Sequence, residues 1–149
     1  MNYTEEVSKK INELLEKNYD AQKGFMNAAD NVDSTNLKTY FKSKAAEREN
    51  FSDELKREIV SFGEKPVDSG SLTGDAHRTW MNIKSALSSN DEESILEEVQ
   101  RGEKASLEDY NEVLSKTSLP QTTEAMLTRH RNAIQNSVNN AKRYESIVE

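Results

Sequence analysis

Within "AAERENFSDEL", residues 45–55, Glu47 and Asn50 stand in the spacing E-x-x-N inside a helical pattern. Residues three apart share a helix face. Bundles that hold two metal ions between their helices use Glu-x-x-His in that register on two of four helices, and single glutamates on the other two. Hard divalent or ferric ions need several oxygen donors with imidazole as the usual nitrogen partner, so a complete site calls for about four carboxylates and two imidazoles. Here Asn50 stands where a histidine would, and Arg48, which is always charged, lies beside Glu47. The remaining candidate ligands are Glu103 in "EEVQRGEKA" and His130 in "MLTRHRNAI". No acidic residue lies between Glu124 and Glu145, so the last helical segment cannot supply Glu-x-x-His.

Other chemistries find less support. The chain has no cysteine, which excludes disulfides, thiolate catalysis, iron–sulfur clusters and Cys-based zinc sites. It has no Gly-rich phosphate loop and no H-E-x-x-H, and its serines have no histidine at a recognisable spacing. A net charge of −7 with scattered Lys and Arg argues against a nucleic-acid or anionic-membrane surface. The opening "MNYTEEVSKK" has no apolar signal core, and no run approaches the ~20 apolar residues of a membrane span. A cytoplasmic location, with neither nucleic acid nor membrane as partner, is the expectation.

The elements that must position these residues are helices. Of the 149 residues, 34% are hydrophobic and 32% charged, yet the apolar ones recur at helical intervals, which a disordered chain would not show. Two prolines and five glycines are too few for an all-β chain. The first helix is predicted over Tyr3 to Val32, with Val7, Ile11, Leu14, Asn18, Ala21, Phe25, Ala28 and Val32 in alternating 4,3 spacing. Asp33 or Ser34 caps a second helix that runs to about Phe62, where Gly63 and Pro66 end it. Its stripe is Leu37, Phe41, Ala45, Arg48, Ser52, Leu55, Ile59 and Phe62.

A loop through "EKPVDSGSLTG" leads to a short helix capped by Thr73 or Asp75, with Ala76, Trp80, Ile83 and Leu87 on one side. The third long helix opens on Asn90 and Glu93 at capping-box spacing and carries Leu96, Val99, Glu103, Ser106, Tyr110 and Val113. Pro120 suits the first turn of the fourth, whose stripe is Thr123, Leu127, His130, Ile134, Ser137, Ala141, Tyr144 and Val148. Two tight turns and one long middle connection imply a crossover that sets helices two and three parallel, with the Trp80 segment laid along the bundle. The expectation is one all-α domain over residues 1–149.

Each stripe is apolar or small until a large polar residue interrupts it near the middle: Asn18, Arg48, Glu103 and His130. Helix midpoints lie at one level in such a bundle, so these four form a predicted internal polar belt, with His130 about a turn off centre. Arg48 opposes cation binding and pairs instead with Glu103, while Asn18 sets helix register. The bland alternative for His130 is a hydrogen-bonded core histidine, and for His77 a solvated one. The Tyr and Phe positions count as core. Gly24 and Gly102 each cost about 1 kcal/mol relative to alanine within a helix; close helix approach is the expected reason, with local pliability as the alternative.

With "RTWMNIKSAL", "EEVQRGEKA" and "FSDEL", and with Trp80, Arg101-Gly102-Glu103 and Arg48 in this order and spacing, the chain resembles a family of uncharacterised bacterial ferritin-like four-helix-bundle proteins, a domain-of-unknown-function family. The resemblance spans nearly the whole chain. It implies a ferritin-like bundle with one long crossover and no established activity. Relatives in the wider superfamily bind two irons, but the usual ligand set is incomplete here.

The leading expectation is a non-enzymatic bundle, stress-related or accessory, with no cofactor, acting through contacts with a protein partner as a monomer or small homo-oligomer. The alternative is a metal-binding or oxidase protein holding iron or another divalent metal on Glu47, Glu103 and His130. A third reading is a helical module that takes a hydrophobic ligand or peptide beside Trp80.

Overall fold

A computed structural model of the chain describes residues 2–70, 80 and 92–148, with side chains described as far as residue 140. Four long helices organise it: α1 (Tyr3–Asn31), α2 (Thr35–Ser61), α3 (Glu92–Lys116) and α4 (Gln121–Val148). Among the described residues there is no strand. The predicted stripes face inward. Every named stripe position of α1 and α3 is buried, as are those of α2 up to Ile59 and of α4 up to Ser137. Phe62 is only half-buried, and Ala141, Tyr144 and Val148 lie outside the described side chains.

The helix ends follow local chemistry. Asn2 caps α1 by accepting from the Glu5 amide at 2.9 Å, and Ser34 caps α2 by accepting from Leu37 at 3.3 Å. Gly63 adopts φ 77°, and the Gly63 and Glu64 amides bond back to Val60 and Ile59, which closes the last turn of α2. The Pro120 carbonyl accepts from Glu124, so Pro120 sits just before α4 and not inside its first turn. The expected caps at Thr73, Asp75 and Asn90, the positions of Ile83 and Leu87, and His77 all lie outside the described residues.

Side-chain ties give the topology. The Ser34 amide donates to Glu92 at 3.0 Å, and Arg48 reaches Glu103, so α2 and α3 start at the same end and run parallel. Tyr3 donates to the Ser118 carbonyl at 2.8 Å, which sets α1 antiparallel to α3. Thr123 donates to Glu58 at 3.2 Å and Arg129 to Glu54, which sets α4 antiparallel to α2. Two hairpins, α1–α2 and α3–α4, therefore lie side by side. Residues 62–91 must return the length of the bundle.

The start of that return is strapped to α1. Asn12 donates to the Lys65 carbonyl at 3.1 Å and accepts from the Val67 amide at 2.8 Å. Tyr19 donates to the Val67 carbonyl at 3.3 Å, and Gly70 presses against Asp20. One carboxamide thus satisfies both a donor and an acceptor of the connecting chain. Asn12→Ala is expected to lower stability by about 1 kcal/mol, measurable in a urea titration.

Trp80 is packed into the bundle. Its indole lies between Gly24 of α1 and Gly102 of α3, beside Phe25 at 5.0 Å between ring centroids. A β-carbon at Gly24 would come within 2.5 Å of the ring, and one at Gly102 within 2.8 Å. The glycines were expected to allow close helix approach; what they admit is the indole, which is only 6% exposed.

The core divides into two apolar clusters. One gathers Phe25, Val32, Phe41, Trp80, Leu96 and Val99. The other gathers Ile11, Leu14, Leu55, Ile59, Tyr110 and Leu127. Between them lies a polar layer.

Candidate functional site: the midplane polar layer

Arg48, Glu103 and Asn18 project inward because each replaces an apolar residue in a 4,3 stripe, at the level where the two apolar clusters meet. Arg48 is 1% exposed and Glu103 and Asn18 are 0% exposed. Arg48 donates through one terminal nitrogen to Glu103 Oε1 and through the other to Asn18 Oδ1 at 2.8 Å. Ser52 donates to the Arg48 carbonyl at 2.9 Å. Arg48 Nε and Glu103 Oε2 have no hydrogen-bond partner among the described residues. The pair is therefore single-pronged. Two charges withdrawn from water regain only part of their desolvation cost in that geometry, so its net contribution to stability is small although breaking it is costly.

His130 belongs to the same network, but its hydrogen bonds go to Tyr110 and Glu54 and not to Arg48 or Glu103. It is joined through Tyr110, which the sequence presents as a core aromatic. Asn18 Nδ2 donates to the Leu14 carbonyl at 2.8 Å and to the Tyr110 hydroxyl at 3.0 Å. Tyr110 Oη stands 3.0 Å from His130 Nδ1, and His130 Nε2 stands 3.3 Å from Glu54 Oε1. Glu54 in turn accepts from Arg129 with both oxygens at the surface. Phe51 stacks on the imidazole with ring centroids 4.0 Å apart.

The charges follow from these surroundings. Burial pushes the Tyr110 phenol well above its ordinary value, so it stays protonated. Burial pushes His130 down to about 4, against the opposing pull of Glu54 and with help from Arg129 and Arg48. Arg129 holds the Glu54 carboxyl below the usual carboxylate range.

The predicted belt is therefore a chain in space: Glu103, Arg48, Asn18, Tyr110, His130, Glu54, Arg129. Asn18, Arg48 and Glu103 meet directly, and His130 is two links further along. Glu47 lies outside the layer, 28% exposed and 3.5 Å from Lys44. Tyr110 and Glu54 were not legible as members. Tyrosine counts as apolar in a stripe, and Glu54 sits one position before Leu55 on the flank of α2.

The donor set does not fit a dimetal centre. Among the described residues the layer holds two carboxylates, Glu103 with the Arg48 guanidinium on it and Glu54 with Arg129 on both its oxygens, and both His130 nitrogens are engaged within the chain. Among the described residues, no three His, Cys, Asp or Glu side chains gather as a group that could hold a metal. Among those residues also, no helix is long and apolar enough to cross a membrane. The apolar slot beside the connection is filled by Trp80 itself.

Residues 6–116 match a protein-family model described as Domain of unknown function (DUF2383), which takes in α1 from Glu6, α2 and α3 and stops before α4. No curated protein and no solved structure matches the chain.

Proposed function

Because the chain belongs to the DUF2383 family, whose model assigns no activity, the midplane is the best guide to its role, and we propose that it is a non-enzymatic bundle of the ferritin-like type in which an internal ion pair takes the place of a dimetal centre. The observation that carries this reading is Arg48, a fully buried guanidinium donating to the Glu103 carboxylate and to Asn18. A permanent cation at that level raises the electrostatic cost of any second cation beside it, and it occupies the oxygen donor a metal would need. The protein then works through surface contacts, as an accessory or stress-related cytoplasmic protein. Its partner is another protein and not a polyanion, in keeping with a net charge of −7.

Adding Fe²⁺, Mn²⁺ or Zn²⁺ is expected to leave the melting temperature unchanged. A metal at about 100 times its Kd would add about 2.7 kcal/mol, a rise of several degrees in a chain of this size. Such a rise with any of the three ions would overturn the proposal.

A further inference from the structure

The polar layer has a direction, set by which of its atoms can donate and which can accept. Arg48 has only donors, so the Asn18 oxygen must accept, and the Asn18 nitrogen must donate both its hydrogens, to Leu14 and to Tyr110. With its oxygen accepting from Asn18, Tyr110 gives its single hydrogen to His130 Nδ1. The imidazole must then carry its own hydrogen on Nε2 and donate it to Glu54. The charge on Arg48 in the core thus dictates the tautomer of a ring on another helix.

Four links of this chain join one hairpin to the other: Glu103 to Arg48, Asn18 to Tyr110, His130 to Glu54 and Arg129 to Glu54. We infer that the Tyr110–His130 contact is an acid-sensitive latch between α3 and α4, closed while the ring is neutral and released when it takes a proton, whereas Nε2–H stays on Glu54 in both states. A proton added to His130 has to go on Nδ1, and the Tyr110 hydrogen then loses its acceptor. The phenol is left facing two donors, Asn18 and His130. The groups facing the ring are Glu54 and Arg48 from α2, Tyr110 from α3 and Arg129 from α4. Only Glu54 favours the cation, and Arg129 already claims both its oxygens.

The sign follows directly. His130 titrates lower in the folded chain than its ordinary 6.5, so on acidification the unfolded chain takes the proton first. Stability is full above about 6.5 and falls as the pH drops towards the folded value, where the loss is complete. The loss begins at a higher pH than any loss from protonating Glu54.

The test compares the full-length wild type with His130→Gln, which keeps an acceptor and a donor but cannot titrate. Between pH 6 and 5 the difference between the two is expected to change by ~10-fold in the folding equilibrium constant per pH unit; His77 is common to both and cancels. Nitrogen NMR at pH 7 is expected to show His130 neutral with its proton on Nε2. Identical pH slopes in the two proteins, or a proton on Nδ1 at pH 7, would overturn the latch. Should His130→Gln fail to fold, Tyr110→Phe decides. Losing the donor to Nδ1 removes a bond that favours the neutral ring, so the His130 titration should move up by roughly one unit. An unmoved titration would overturn the proposal equally.

Discussion

Arg48→Ala is expected to lower folding stability by about 3–5 kcal/mol, the cost of stranding a buried charge. Glu103 is fully enclosed, and Arg48 is the only cation in contact with it among the described residues. The alanine variant would leave its carboxylate without that cation and Asn18 Oδ1 without its donor. Arg48→Met with Glu103→Leu is expected to recover much of the loss, because two apolar side chains of similar bulk join the clusters above and below and no longer carry a desolvation cost. A double-mutant cycle by chemical denaturation gives the coupling. A coupling near zero, or a double variant no more stable than Arg48→Ala, would show that the pair does not hold the layer together.

Trp80→Ala is expected to cost a similar amount, about 3–5 kcal/mol, through lost burial and the cavity left between α1 and α3. The more telling result concerns Gly102. In the wild type a β-carbon there would meet Cζ2, Cη2 and Cε2 of the indole at 2.8 to 3.0 Å. Overpacking of that kind costs about 1–3 kcal/mol, which outweighs or cancels the ~1 kcal/mol that alanine gains over glycine in a helix. Once the indole is gone only the gain remains, so Gly102→Ala is expected to stabilise the Trp80→Ala protein by about 1 kcal/mol. Thermal melts of the four proteins measure the change of sign. An equal effect in both backgrounds would mean that Trp80 is not what Gly102 makes room for.

The helices and the centre of the layer were legible because burial and helical period leave a one-dimensional trace. A large polar residue in an apolar 4,3 stripe stands out, and Asn18, Arg48 and Glu103 do so. The parallel setting of α2 and α3 was legible as well, because two short turns and one long connection leave few other ways to pack four helices of equal length. What escaped depends on contacts between helices. Tyr110 has an apolar body and a polar tip, and only the neighbouring helices decide whether the tip is used. Glu54 lies on the edge of its stripe, where an acid is usually solvated, and only α4 makes it a partner of His130 and Arg129. Gly24 and Gly102 mark a need for space without naming its occupant. Glu47 shows the opposite failure, since the right residue type beside the stripe turns outward to Lys44.

The proposal that the Arg48–Glu103 pair stands in place of a dimetal centre is most directly tested by elemental analysis of protein purified without chelator. The account predicts far less than one iron, manganese or zinc per chain. Two tightly held ions per chain, the content of a dimetal bundle, would contradict it.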